Sequence, residues 1–254
     1  MELKEVVINQ TDDKKNSDKF DAVADQYAAM YTWNTPAGHS FRARRKLAHK
    51  MLGSGNLGAL LDVGGASGVY FEELKSQVKF YSIIDISPQM IEIAKKINAG
   101  GVPLDCQVAS IYSLPYEDQY FDNIIAMGVF EYLERPWDAL EELKRVSKDG
   151  ATILVSFTNA HSPMRRLSSF IYKTAKGKKI FDRLFTRKEV ADAAQKLNLE
   201  IVDTKGYNAQ FIPFPFTWWF KPVAFALAAL LEPALNVISP YLGTAYTVQF
   251  RKKS

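Results

Sequence analysis

The sequence predicts an α/β fold, a doubly wound and mostly parallel seven-stranded sheet with an N-terminal helical lid and a C-terminal helical cap. Three observations carry that prediction. Short apolar runs alternate with amphipathic helical stretches, at a spacing that suits parallel strands joined by right-handed crossovers and covered on both faces. A glycine-rich turn, Gly64-Gly65-Ala66-Ser67-Gly68, closes the first run, and an aspartate, Asp85, closes the second. The chain has 254 residues, of which 47% are apolar and 24% charged, enough to bury a core as one large domain or a domain with a cap.

Residues 1–18 are polar with charges of both signs and read as a flexible tail. From Asp18 a helical pattern puts Phe20, Val23, Ala24, Tyr27 and Tyr31 on one face. A basic helix follows Pro36, with Leu47, Ala48, Met51 and Leu52 inward. The strand-like runs are Ala59–Val63, Phe80–Ile84, Val102–Val108, Phe121–Met127 and Ala151–Phe157, with Leu199–Thr204 and Ala245–Arg251 as two late ones. A helix starts at Tyr70. Another starts behind the N-cap Ser87 and Pro88, and a third behind Pro136. Lys148-Asp149-Gly150 reads as a turn into the fifth strand. Thr186–Leu197 reads as a helix with Thr186 as N-cap and Glu189 completing a capping box. Residues 207–244 then hold an aromatic- and proline-rich stretch, expected to be a cap inserted before the final strand, with 245–254 as last strand and tail.

Composition narrows the function classes. A net charge of +4 is too mild to indicate a nucleic-acid binder by itself, and no DNA partner is expected. One cysteine, Cys106, excludes an intrachain disulfide and a cysteine-based zinc site. The first residues contain no apolar core of a secretion signal, and no uninterrupted apolar run reaches the ~18 residues of a spanning helix. The expectation is a cytoplasmic protein that needs no metal.

The glycine turn lets a ligand approach the backbone without Cβ interference. A dinucleotide fingerprint needs Gly-x-Gly-x-x-Gly, but Ala66 and Val69 stand at the second and third glycine positions. What remains is Asp62-x-Gly64-x-Ala66-x-Gly68. An acidic residue before the turn suits a ligand that lacks a pyrophosphate and carries a cationic amino-acid end. Asp85, about 20 residues on, stands where a sheet-edge carboxylate of such folds accepts ribose hydroxyls. Taken singly, the loop is also a plain tight turn and Asp85 a solvated turn aspartate.

Together with Leu114-Pro115-Tyr116, Tyr120-Phe121-Asp122 and Arg145-Val146-Ser147-Lys148-Asp149-Gly150, these residues resemble the class I S-adenosylmethionine-dependent methyltransferases, in the branch acting on quinones, lipids and small natural products. The likeness runs from about Phe20 to Ile201 and makes 19–206 the methyltransferase domain. It implies S-adenosylmethionine as cofactor, with Gly64, Gly65 and Ala66 against its methionine part and Asp85 on the ribose. Ile86 would touch the adenine, Ser110 and Ile111 would lie beside it, and the Met127 region would meet the methionine end. Family members usually have Gly-Asp where this chain has Ala109-Ser110, so weaker adenine binding is implied. Tyr27, Tyr31 and Arg44 are candidates for the aromatics and arginine that close over the cofactor.

Methyl transfer asks mainly for alignment, and an oxygen acceptor of high pKa would also need a base. His161 after the fifth strand is the first candidate, with His39 and Glu131 as others. His49 reads as an exposed residue of a basic helix. The absence of an Asn/Asp-Pro-Pro-aromatic tetrapeptide after Met127 argues against DNA or amide N-methylation. Met164–Lys188 carries nine basic residues against one acid, which favours an anionic acceptor or membrane surface. Phe211–Tyr241, with Trp218 and Trp219 beside Lys221, fits a cap, an apolar acceptor pocket, a homodimer interface or a peripheral membrane contact. The expected function is methylation of a small, partly apolar, anionic or lipid-like acceptor, with O-methylation ahead of C- or N-methylation. The rivals are a non-catalytic cofactor-binding or membrane-associated partner protein and an RNA methyltransferase.

Overall fold

The computed structural model describes residues 11–162, 183–207 and 242–253, together with Val223, Leu230 and Ser239. Seven strands form one sheet: β1 (Gly58–Val63), β2 (Val78–Asp85), β3 (Leu104–Val108), β4 (Phe121–Ala126), β5 (Ser147–Thr158), β6 (Leu199–Tyr207) and β7 (Ala245–Lys252). Their order is β3-β2-β1-β4-β5-β7-β6. The pairs among β1 to β5 are parallel, whereas β7 runs antiparallel to both β5 and β6. The sheet is therefore doubly wound and mostly parallel, as expected, with one antiparallel hairpin at its far edge. The described helices are α1 (Thr11–Asp21), α2 (Ala24–Met30), α3 (Pro36–Leu52), α4 (Phe71–Leu74), α5 (Pro88–Ala94), α6 (Pro136–Val146) and α7 (Arg187–Lys196).

Successive strand residues point to opposite faces, and both faces are apolar. On one face Leu61, Val63, Ile124, Ile153 and Val155 pack against Leu140 and Leu143 of α6 and Val190 of α7. On the other, Leu60, Tyr81, Ile83, Ile125 and Leu154 meet Ala48 of α3, Phe71 and Leu74 of α4, and Ile91 and Ala94 of α5. Each of the ten strand residues just named is at least 99% buried. Fully apolar strands are what a sheet sandwiched between helix layers requires.

The helix ends follow local chemistry. Ser87 accepts from Met90 N–H ahead of Pro88, and Pro136 opens α6 with Lys144 and Arg145 in its last turn against the dipole. At α7 the capping box is complete: Thr186 accepts from Glu189 N–H, and the Glu189 carboxylate accepts from Thr186 N–H at 2.7 Å. The α2–α3 corner is held by Arg42, which donates to Tyr31 O and Trp33 O, both at 2.9 Å.

Three expectations need correction. The stretch read as a flexible tail is helical from Thr11 onward, and it buries Asp13, Asn16 and Ser17. The single helix expected from Asp18 is two, broken at Ala22 and Val23. Lys148-Asp149-Gly150 lies inside β5, where the ladder jumps from Phe121↔Ser147 to Asn123↔Thr152 and Gly150 takes φ +76°. Those residues bulge out of the strand without separating it from α6. Most of the expected basic segment and of the 207–244 cap lies outside the described residues. No helix among the described residues is long and apolar enough to cross a membrane.

Thr186→Ala removes one half of the capping box and is expected to lower stability by about 1 kcal/mol in urea titrations.

Candidate active site

From β1 the chain winds one way to β2 and β3 and the other way to β4 and β5. A sheet that reverses its winding leaves a crevice beyond the carboxyl ends of the strands at the reversal. The cleft found there spans about 610 Å³, part of it open solvent. Its floor is Val63, Gly64 and Ala66 after β1, with Gly128 and Val129 after β4. Ile84, Asp85, Ile86, Ala109 and Ile111 form one side, and Phe20, Tyr27 and Tyr132 face them.

The glycine loop is shaped by contacts within the protein. Gly64 and Gly65 both donate to Ile84 O, at 2.7 and 3.1 Å, tying the loop to β2. Gly64 has φ +65° and Gly68 φ +75°, a region that a Cβ disfavours. A Cβ on Gly64 would lie 2.3 Å from Val129 Cγ2, one on Gly65 2.7 Å from the Asp62 carboxylate carbon, and one on Gly68 2.4 Å from Ile97 Cδ1. The space that glycine leaves is filled by this chain's own side chains at all three positions. Ala66 adopts φ +50° despite its Cβ. Its methyl is buried with Ala24 of α2 and Met90 of α5, which offsets the strain.

Asp85 binds the loop to the second strand. One carboxylate oxygen accepts from Ala66 N–H and the other from Ser87 N–H, both at 2.9 Å. Each oxygen keeps acceptor capacity beyond that bond. Burial raises the Asp85 pKa to about 6 against the pull of the backbone donors. Asp62 lies below Gly65, takes a 2.9 Å hydrogen bond from the Tyr81 hydroxyl, and is raised by burial to about 7.

Arg44, on α3, is buried at 6% exposure. It donates to the Tyr31 hydroxyl at 3.0 Å and, at the 3.5 Å limit, to Tyr27. Its guanidinium lies over Gly128, where a Cβ would come within 1.7 Å of Nη1. Its Nε is buried without a hydrogen-bond partner, as are the Tyr70 hydroxyl and the Ser67 hydroxyl. Buried donors left unsatisfied are costly.

Of the residues singled out from sequence, Tyr27, Gly64, Ala66, Asp85, Ile86 and Ile111 line the one cleft. Asp62, Gly65 and Gly68 shape its loop from below or behind. The Ser110 hydroxyl accepts from Tyr112 N–H at 3.2 Å inside its own loop, and Met127 is a core residue, its neighbour Gly128 being the one that faces the cleft. None of the base candidates lines it. His39 sits in the first turn of α3, with a pKa lowered by burial and then by Arg42. His161 is exposed, its N–H bonded to Asn159 Oδ1 at 2.9 Å, and Glu131 lies in the short turn Phe130–Tyr132. His49, read as exposed, is half-buried and within 3.3 Å of Gln77. The lining residues missed are Asp13, Asn16 and Phe20 of α1 and Val129, Tyr132 and Leu133 after β4. Positions 13, 16, 17 and 20 share a helical spacing, but three of the four are polar, so a hydrophobic stripe does not reveal them.

The geometry agrees with what comparison with known proteins finds. A family model described as a methyltransferase domain matches residues 61–155, from within β1 to within β5. That stretch, 95 of the 254 residues, is the part of the chain similar to known methyltransferase domains. An uncharacterized methyltransferase of Mycobacterium marinum is 31% identical over 99 residues, which are 39% of this chain and only 38% of that relative's length. Magnesium protoporphyrin IX methyltransferase from Synechocystis, solved with bound SAH, superposes with a TM-score of 0.67 at 12% identity, covering 95% of this chain and all (100%) of that one. A [4+2]-cyclase superposes with a TM-score of 0.65 at 17% identity, over 95% of this chain and 97% of its own. At such identities these structures share the methyltransferase-domain fold and nothing finer follows.

Two outcomes follow from this geometry. Asp62 and Asp85 have pKa values raised above their unfolded value, so their contribution to stability is greatest at low pH and is lost as pH rises through about 6 to 7. The gain in melting temperature of the ligand-free protein between pH 8 and pH 5 is therefore expected to shrink in Asp62→Asn. Gly128→Ala is expected to cost about 1–3 kcal/mol by displacing Arg44 from a left-handed glycine, while Gly55→Ala, with open space around it, stays within about 0.5 kcal/mol in the same denaturation assay.

Proposed function

We propose that this chain transfers the methyl group of S-adenosylmethionine to a small, partly apolar acceptor, with an oxygen as the favoured attacking atom. The observation that supports it most directly is the convergence of Gly64, Ala66 and the Asp85 carboxylate on one cleft at the reversal of the sheet. The residues present fit the cofactor. Asp85 retains acceptor capacity on both oxygens for a ribose diol. Ile86 and Ile111 offer apolar surface to an adenine. Arg44, a buried cation whose Nε has no partner in the protein, would receive the cofactor's carboxylate near Gly128, with Tyr27 and Tyr31 orienting the guanidinium.

Bound S-adenosylmethionine supplies a methyl already activated on a sulfonium, so the protein's task is alignment. Val129 and Leu133 give the remaining cleft an apolar wall for the acceptor, and Asp13 and Asn16 add polar groups above it. Glu131 stands between the lining residues Val129 and Tyr132 and has the nearest address of the base candidates; His39 and His161 lie on elements that contribute no lining residue. A cofactor-binding protein without methyl transfer is the second reading, favoured by the distance of those histidines and by the cyclase built on the same fold.

Calorimetric titration with S-adenosylhomocysteine is expected to show saturable binding, weakened about ten- to a hundredfold in Asp85→Ala. Arg44→Met is expected to weaken binding as well while raising the melting temperature of the ligand-free protein, since it removes an unpaired buried charge. Label transferred from methyl-tritiated cofactor into extracted small molecules supports the first reading; binding without any turnover supports the second. Absence of binding sinks both.

A further inference from the structure

Helix α1 borders the cleft and is fastened to the α5 entry at one point and to the segment after β4 at another. At its last residue, Asp21 Oδ1 accepts from the Ser87 hydroxyl and from Gln89 N–H, the latter at 3.2 Å. On the opposite side Asn16 Nδ2 donates to Tyr132 O at 3.1 Å, and the Phe20 and Tyr132 rings meet edge to face with centroids 5.2 Å apart. Asp13, Asn16 and Phe20 of this helix line the cleft together with Gly64 and Asp85, so a ligand held there would share the cleft with them.

Ser87 makes three bonds with different partners. Its N–H donates to Asp85 Oδ1, its hydroxyl accepts from Met90 N–H as the N-cap of α5, and the same hydroxyl donates to Asp21. Asp85 in turn accepts from Ala66 N–H, so a continuous chain of hydrogen bonds runs from the glycine loop through Asp85 and Ser87 to α1. The cluster of Ala24, Ala66 and Met90, with Phe20 and Val23 against it, packs the same junction from its apolar side.

We propose that Asp21 and Ser87 are positioning residues that latch α1 over the occupied cleft, so that closure of the helix and retention of the cofactor are one coupled equilibrium. This rests on the cofactor reading above. Asp21 touches no cleft-bound group. It acts by holding the wall that Asn16 and Phe20 present, and by fixing Ser87, whose N–H orients Asp85. Coupling of this kind is reciprocal: a ligand that favours the closed helix is itself retained by closure.

The test compares wild type, Asp21→Ala and Asp21→Asn, the last keeping a side-chain oxygen that can accept from Ser87 and Gln89. Asp21→Ala leaves the N-cap of α5 in place, so a loss of fold is not the expected result. Amide exchange over residues 13–20 in the ligand-free protein is expected to quicken about tenfold in Asp21→Ala, with the β1–β5 strands unchanged. Release of tritiated S-adenosylhomocysteine is expected to quicken about tenfold with its association rate unchanged or higher, and Asp21→Asn is expected to fall within about threefold of wild type in both readouts. An association rate that falls in parallel with the exchange protection of the whole sheet would mark a merely structural role and overturn the proposal. So would exchange and release in Asp21→Ala within twofold of wild type. If wild type binds no S-adenosylhomocysteine, the cofactor reading fails, and the exchange of residues 13–20 still decides the latch.

Discussion

The Asp85 carboxylate is the junction on which the rest of the cleft depends. It is 7% exposed and spends one oxygen on the glycine loop and the other on the entry to α5. Removing a carboxylate from water is expensive, and the elevated pKa is the direct sign of that expense. Two backbone donors offset part of the cost and, in doing so, set the distance between the end of β1 and the start of α5. The loop therefore cannot relax toward an ordinary tight turn without leaving Asp85 short of a donor. Gly64 and Gly65 add to the constraint through their shared acceptor, Ile84 O.

A second constraint is charge buried without its opposite. Asp62 and Arg44 are both buried, yet Asp62 is bonded to Tyr81 and Arg44 to Tyr31, with no ion pair between them. The tyrosine hydroxyls soften each burial. They leave the cation's Nε without a hydrogen-bond partner among the described residues, while its Nη1 lies against Gly128.

The centre of the sheet was legible in the sequence because its strands are apolar on both faces and because β1 runs into Gly64 and β2 ends at Asp85. Ser87-Pro88 and Thr186 with Glu189 announced two helix starts that the structure reproduces. Among the residues that line the cleft, Gly64, Ala66 and Asp85 were singled out from spacing and Tyr27 from family likeness. What was hidden has a common physical cause. α1 buries polar side chains, Asp13, Asn16 and Ser17, and Asn16 is held by a hydrogen bond to Tyr132 O, so hydropathy assigned the helix to a tail. The cleft residues after β4 were misplaced by one position because Gly128, at φ +82°, turns the chain so that Met127 stays in the core while Gly128 and Val129 face the ligand space. The exposure of a histidine in a basic helix, as for His49, depends on a packing partner, Gln77, that no local pattern announces.

The antiparallel hairpin bears on how the chain assembles during synthesis. β7, the last strand in chain order, lies between β5 and β6, and β6 makes its described ladder with β7 alone. The five parallel strands can dock as each emerges, but β6 leaves the ribosome with no partner to receive it. Until β7 inserts, the growing chain carries two open strand edges, one on β5 and one on β6, and both invite wrong pairing. Completion of the sheet thus depends on eight residues, Ala245–Lys252, that are translated after the other six strands.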